Sequence, residues 1–285
     1  MTTTTTTSPR PSVQIGGQSF GAGKLFLFAG PCVLESPELI HRIAGELRDI
    51  AGSRGVPLVF KSSFDKANRS SAQGARGPGI ERGLELLAAV KQRWNLPLVT
   101  DVHTAEQCVQ AAEVVDVLQI PAFLCRQTDL LIAAAETGRA VNIKKGQFLA
   151  PWDMVNATKK CESAGNTNLL VTERGASFGY GRLVVDMTAF AHLSKTGHPV
   201  VFDATHSVQE PGALGTSTGG DRTKVPALAR AAIATGEVDG LFFEVHPDPD
   251  NAPSDGPNMI KLHEFAAILD GVLAVHRAVR SAQSG

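Results

Sequence analysis

The run Gly240-Leu241-Phe242-Phe243-Glu244-Val245-His246 carries a carboxylate and an imidazole to the end of an apolar stretch, and a loop rich in Pro and Asp follows to Pro257. A carboxylate at the end of a buried strand is costly unless a cation or a hydrogen-bond donor meets it. Two sets of residues could do so, the first by holding a metal ion together with Glu244 and the second by their own positive charge. Cys32, His206, Glu244 and Asp255 offer a thiolate, an imidazole and two carboxylates, a donor set that suits Zn2+, Fe2+, Mn2+ or Co2+ with one position left open. Cys32 also fits a plain role as a small buried hydrophobe. Lys61, Lys66, Arg69, Lys144, Lys145 and Arg174, with Arg126, form the second set. Converging Lys and Arg call for an anion, and phosphate or carboxylate oxygens match their geometry. The loop Lys66-Ala67-Asn68-Arg69-Ser70-Ser71 offers charge, amide and hydroxyls as a sugar phosphate requires, although a solvated basic loop would look similar.

These residues lie at the ends of short β-rich apolar runs, expected as strands over 25–29, 58–61, 98–103, 117–121, 141–145, 169–174, 200–206 and 241–246. Between them, apolar residues recur at helical spacing over 37–53, 79–94, 105–113, 128–137, 152–163, 186–195, 223–235 and 259 to about 279. Alternating strand and helix in a single domain predicts an α/β fold, a (β/α)8 TIM barrel, with a doubly wound open sheet as the alternative. In such a barrel the strand ends form one rim. Read together, they supply Cys32, Lys61, Asp101 with His103, Gln119, Lys144 with Lys145, Glu173 with Arg174, Asp203 with His206, and Glu244 with His246. The Gly-Gly within 13–23 predicts a short hairpin ahead of the barrel.

At 285 residues and 43% hydrophobic content, the chain can bury a large core, and no linker divides it, so residues 13–285 are expected to form one domain. The six consecutive threonines within 1–12 predict a disordered tail. With 27 basic and 28 acidic residues there is no global field to draw nucleic acid or an anionic membrane. Any anion must be held locally. Four widely spaced cysteines and the lack of a signal-like or membrane-spanning run point to a soluble, cytoplasmic protein.

The motifs Ala29-Gly30-Pro31-Cys32, Phe60-Lys61-Ser62-Ser63-Phe64-Asp65-Lys66-Ala67-Asn68-Arg69-Ser70, Gln119-Ile120-Pro121-Ala122-Phe123-Leu124-Cys125-Arg126-Gln127, Asn142-Ile143-Lys144-Lys145-Gly146-Gln147-Phe148, Glu173-Arg174-Gly175, Asp203-Ala204-Thr205-His206 and Glu244-Val245-His246-Pro247 occur in this order. Together they resemble the 3-deoxy-D-manno-octulosonate 8-phosphate synthases, also called 2-dehydro-3-deoxyphosphooctonate aldolases. The resemblance implies a barrel enzyme, usually a homotetramer, that condenses phosphoenolpyruvate with D-arabinose 5-phosphate and water for the inner-core sugar of lipopolysaccharide. It implies that Lys61, Lys66, Gln119, Lys144 and Arg174 hold phosphoenolpyruvate. Asn68, Arg69 and Ser70 would hold the sugar phosphate, and Arg126 would reach a neighbouring subunit's phosphate site. Lys66, Asp101, His206 and Asp255 are the implied catalytic residues, with His206 and the carboxylates managing protons.

Cys32 after Gly-Pro resembles the metal-dependent form, whereas Gly256-Pro257 is the pairing of the metal-free form. A related synthase uses erythrose 4-phosphate, but it carries Pro-Arg-Thr where this chain has Ala67-Asn68-Arg69-Ser70. A non-catalytic, phosphate-sensing barrel would be expected to have lost at least one of these ligands, and none is lost.

Overall fold

A computed structural model describes residues 11–67, 74, 76–213 and 219–284. The expected tail lies outside the described residues as far as position 10, and Ser12 already opens the first strand. A hairpin of β1 (Ser12–Ile15) and β2 (Gln18–Gly21) comes first. Then follow β3 (Phe26–Gly30), α1 (Pro37–Gly52), β4 (Leu58–Lys61), α2 (Ile80–Trp94), β5 (Leu98–Asp101), α3 (Ala105–Ala112), β6 (Val117–Ile120), α4 (Thr128–Glu136), β7 (Ala140–Lys144), α5 (Met154–Ser163) and β8 (Leu169–Glu173). A second hairpin, β9 (Ala176–Phe178) and β10 (Arg182–Val184), precedes α6 (Ala189–Leu193) and β11 (Val200–Asp203). The chain ends with the small pair β12 (Gln209–Glu210) and β13 (Gly219–Gly220), then α7 (Val225–Ala234), β14 (Gly240–His246), β15 (Ile260–Lys261) and α8 (Phe265–Ser284).

Strands β3 to β8, β11 and β14 pair in parallel around a closed ring, with β14 returning to β3. The chain is therefore the expected (β/α)8 barrel. Helix starts follow local chemistry. Ser36 caps α1 by accepting from Leu39 N, with Pro37 in the first turn, and Thr104 caps α3 by accepting from Gln107 N. No helix among the described residues is long and apolar enough to cross a membrane.

Three expectations need correction. The strand expected over 200–206 stops at Asp203, because the Asp203 carboxylate accepts from the His206 backbone N–H and turns the chain into a 3-10 turn, His206–Val208. The last helix begins at Phe265, since Ile260–Lys261 instead pairs with the end of β14. Helix α6 is only five residues long, in place of the ten expected over 186–195.

Residues on the barrel strands alternate between two environments, as strand geometry requires. Leu27, Phe60, Leu118, Val171, Phe202 and Phe243 pack outward beneath the helices. Phe26, Phe28, Val59, Val99, Val117, Leu170, Val201 and Phe242 fill the interior together with Val13, Ile15 and Phe20 of the first hairpin. That hairpin turns through Gly16 and Gly17 at φ 56 and 77, a left-handed pair that a two-residue hairpin turn demands. It is tied to the barrel by reciprocal bonds, Gln14 N–H to Asn168 Oδ1 at 2.7 Å and Asn168 Nδ2 to Gln14 O at 2.6 Å. One end of the barrel is thus plugged with apolar side chains.

Two residues further along each strand, the inward positions become Gly30, Lys61, Asp101, Gln119, Asn142, Thr172, Asp203 and Glu244. The functional layer is therefore one strand repeat above an apolar floor. Gly30 is needed because a Cβ there would lie 2.0 Å from the Lys61 carbonyl oxygen. Gly30→Ala is expected to destabilise the protein by about 3 kcal/mol, since the obstacle is neighbouring backbone that cannot move aside. Chemical denaturation against wild type checks this.

Candidate active site

Burial of the polar layer forces its charges to neutralise one another. Lys61 Nζ donates to Glu244 Oε1 at 2.8 Å, and Lys66 Nζ lies 3.6 Å from the same oxygen. Lys144 Nζ pairs with Asp203 Oδ2 at 2.5 Å and sits 4.2 Å from the centre of the Phe242 ring. Lys61 Nζ is 5.2 Å from that ring, so Phe242 floors both cations. Burial opposes the charge on Glu244, but Lys61, His206 and Lys66 outweigh it and hold the carboxyl well below its usual range. For Asp203, burial is likewise overcome by His206 and Lys144. Both carboxylates are ionised.

Arg174, at the end of β8, is buried. Its Nη2 donates to Gln209 Oε1 at 2.5 Å, and Gln209 Nε2 donates to Asp255 Oδ1 at 2.8 Å. Its Nη1 has no hydrogen-bond partner among the described residues. A buried guanidinium nitrogen left unpaired is ready for an anion.

The metal-type group is present. Ligand atoms of Cys32, Glu244 and Asp255 lie within 4.8 Å of one another. Cys32 Sγ is 3.1 Å from both Asp255 Oδ2 and Ser254 Oγ, and Ser254 Oγ donates to Asp255 Oδ2 at 2.7 Å. Burial, then the Glu244 charge, pushes the Cys32 thiol well above its usual pKa. A divalent cation would reverse that, because metal binding deprotonates a coordinating thiol. Glu244 Oε2 is buried without a hydrogen-bond partner among the described residues, an acceptor left for such an ion. The donor set fits a divalent metal.

His206 stands beside this group, with Nε2 3.5 Å from Glu244 Oε1 and Nδ1 2.7 Å from Asp203 Oδ2. Since Asp203 is ionised, Nδ1 carries a proton toward it, which leaves Nε2 as the ring nitrogen that faces the cluster. Asp255 has φ 53, a strained value for a residue with a side chain. The Gly256-Pro257 pairing has a packing cause: a Cβ at Gly256 would lie 2.4 Å from the Pro249 carbonyl oxygen.

Other expected residues are placed differently. Lys145 turns away to donate to the carbonyls of Gly146 and Leu149 at 3.2 and 3.1 Å, steadying its own loop. Glu173 accepts from the backbone N–H groups of Arg174 and Gly175. His246 faces Glu35 at 3.1 Å, and His103 faces Gln107 at 3.1 Å. Arg126 is exposed. Asn68, Arg69 and Ser70 lie outside the described residues.

The sequence reading missed Ser63, Thr205, Gln209 and Ser254. Ser63 donates to Asp101, and Thr205 Oγ1 accepts from Glu244 N at 2.8 Å. Ser63, Thr205 and Ser254 are buried hydroxyls on short polar connections, and each stands within two residues of a candidate that was named.

Comparison with known proteins agrees with this geometry. The DAHP synthetase I family model matches residues 5–278. A 2-dehydro-3-deoxyphosphooctonate aldolase of Nitrobacter winogradskyi is 58% identical over 277 residues, 96% of each chain. The protein of the same name from Granulibacter bethesdensis is 59% identical over 258 residues, 90% of this chain and 91% of its own. That from Fusobacterium nucleatum is 54% identical over 269 residues, 94% of this chain and 96% of its own. A rim that joins a thiol-carboxylate group to buried cations, on a barrel this similar in sequence, makes the chain a member of the DAHP synthetase I family and, within it, of the 2-dehydro-3-deoxyphosphooctonate aldolases.

Proposed function

We propose that this chain is a transferase that condenses phosphoenolpyruvate with D-arabinose 5-phosphate and water, giving 3-deoxy-D-manno-octulosonate 8-phosphate and inorganic phosphate for lipopolysaccharide synthesis. The observation that carries the reading is the single buried rim where Lys61, Lys66, Lys144 and Arg174 meet Cys32, Glu244 and Asp255. Cations alone would serve any anion. Cations beside a divalent-metal donor set suit a reaction in which a phosphorylated enol and an aldehyde must be held together.

Lys144 and Arg174 hold the enol phosphate, with Lys61 and Lys66 completing the charge and Gln119 supplying an N–H. Asn68, Arg69 and Ser70 hold the sugar phosphate. Cys32, Glu244 and Asp255, with His206 through Nε2, would hold the divalent ion, which supplies Lewis acidity toward a water or the aldehyde oxygen. His206, kept in one tautomer by Asp203, and the carboxylates Asp101 and Asp255 handle the protons of water addition. Lys66 stands over Glu244 and offsets negative charge that develops near it. Four free cysteines fit a reducing, cytoplasmic setting.

Exposed Phe123, Phe148, Trp152, Phe178 and Tyr180 follow β6, β7 and β8 at the same end of the barrel as Arg126. Aromatic side chains left in water at the end of the barrel that carries Arg126 support a homo-oligomeric assembly, a tetramer, in which Arg126 reaches the neighbouring site.

Purified protein should consume phosphoenolpyruvate with D-arabinose 5-phosphate and release phosphate, and should leave erythrose 4-phosphate untouched; turnover of erythrose 4-phosphate instead would contradict the reading. Metal stripping with a strong chelator should abolish activity, and Mn2+, Fe2+, Co2+ or Zn2+ should restore it. By elemental analysis, Cys32→Ala should retain far less metal than wild type, and an unchanged metal content would remove Cys32 from the ligand set. Light scattering should find an oligomer, and a fully active monomer would overturn the shared site.

A further inference from the structure

Across the barrel interior runs a chain of side chains, three of them buried carriers of amide or hydroxyl groups inside apolar strands. Thr172 Oγ1 donates to Asn142 Oδ1 at 2.6 Å, Asn142 Nδ2 donates to Gln119 Oε1 at 2.9 Å, and Gln119 Nε2 donates to Asp101 Oδ1 at 2.5 Å. Ser63 donates to the other Asp101 oxygen, and Lys61 Nζ lies 4.0 Å from it. Thr172, Asn142 and Gln119 come from β8, β7 and β6, neighbours in the ring, and Asp101 from β5. The chain crosses four strands.

Its direction follows from its last member. Burial opposes the Asp101 charge, but Lys61, Lys66 and Lys144 prevail and keep the carboxyl ionised, so it can only accept. Gln119 must then present its NH2 to Asp101 and its oxygen to Asn142. Asn142 must in turn present its NH2 to Gln119 and its oxygen to Thr172, whose hydroxyl is left as the donor. One charge sets the sense of three hydrogen bonds. Gln119 is consequently left with one N–H not committed to Asp101, a donor it can offer a bound molecule.

We propose that Thr172 and Asn142 are positioning residues that brace Gln119 through its oxygen, so that the amide Asp101 has oriented is held in place to donate to a bound anion, the carboxylate or phosphate of an enol phosphate. The inference rests on the function proposed above. A Val at position 172 keeps the shape of Thr but leaves Asn142 Oδ1 buried without its donor, so the Asn142 amide shifts and its hold on Gln119 Oε1 loosens, while Asp101 still sets the sense of the Gln119 amide. Neither Thr172 nor Asn142 has been placed in contact with substrate. Their effect should therefore appear through Gln119, on one substrate only.

The test is steady-state kinetics of the metal-loaded enzyme with Thr172→Val and Thr172→Ser. Thr172→Val should raise KM for phosphoenolpyruvate roughly tenfold, leave KM for D-arabinose 5-phosphate within about twofold and change kcat less than KM, since one buried acceptor loses its donor. Thr172→Ser keeps a hydroxyl and should return to near wild-type values. Equal damage from Val and Ser, no change with Val, or equal shifts in both KM values would overturn the proposal while leaving the assigned reaction intact. Should Thr172→Val not fold, Thr172→Ala against Thr172→Ser gives the same comparison. A wild-type enzyme that turns over neither substrate would remove the reaction, and the inference with it.

Discussion

The structure depends on the ion pair between Lys61 and Glu244, whose 2.8 Å contact lies inside the barrel with both side chains shielded from water. Two charges in such a place are stable only together, and removing one partner of a buried pair costs about 3–5 kcal/mol. Glu244 is also drawn on by Lys66 and His206, while Lys61 faces Asp101 as well. The pair is therefore the node of a larger neutral cluster. Replacing such a pair by well-packed apolar residues of similar volume is often neutral or stabilising. The retention of charge points to function.

Asp203 couples the two halves of that cluster. One of its oxygens receives both Lys144 Nζ and His206 Nδ1, and the other accepts from the His206 backbone. The group that orients the imidazole toward the thiol-carboxylate set thus also anchors a cation of the anion site. Gln209 makes a second link, between Arg174 and Asp255. Metal-type donors and cations are held in one register by shared neighbours, which is what a reaction between two held partners needs.

Much of this was legible in the chain. The barrel strands read correctly because both their faces are buried, which leaves apolar runs of four to seven residues that end on polar ones. Lys61, Gln119, Lys144 and Glu244 were recognisable as changes of residue type at those ends, and Asp255 as an acidic residue of the loop that follows the last strand. Asn142 and Thr172 form part of the polar chain through the interior, although one is simply a strand residue and the other a β-branched one by sequence. The inward face switches from apolar to polar at the same height on every strand, and only the register makes that visible. His206 read as a strand end because the Asp203 turn that lifts it out is a side-chain effect. The β9–β10 hairpin went unseen because its strands are three residues long and mostly exposed, with no burial pattern to mark them. Lys145 and Arg174 look alike as cations beside a strand end; one spends its charge on loop carbonyls and on Glu173, and the other keeps a buried nitrogen unpaired.

The most direct test of the account is a crystal structure grown with Mn2+ and phosphoenolpyruvate, with anomalous data collected at the manganese edge. The account predicts one anomalous peak enclosed by Cys32 Sγ, His206 Nε2, Glu244 and Asp255, and enol phosphate density against Lys144 and the free nitrogen of Arg174. A peak elsewhere on the molecule, or phosphoenolpyruvate bound away from Lys144 and Arg174, would contradict it.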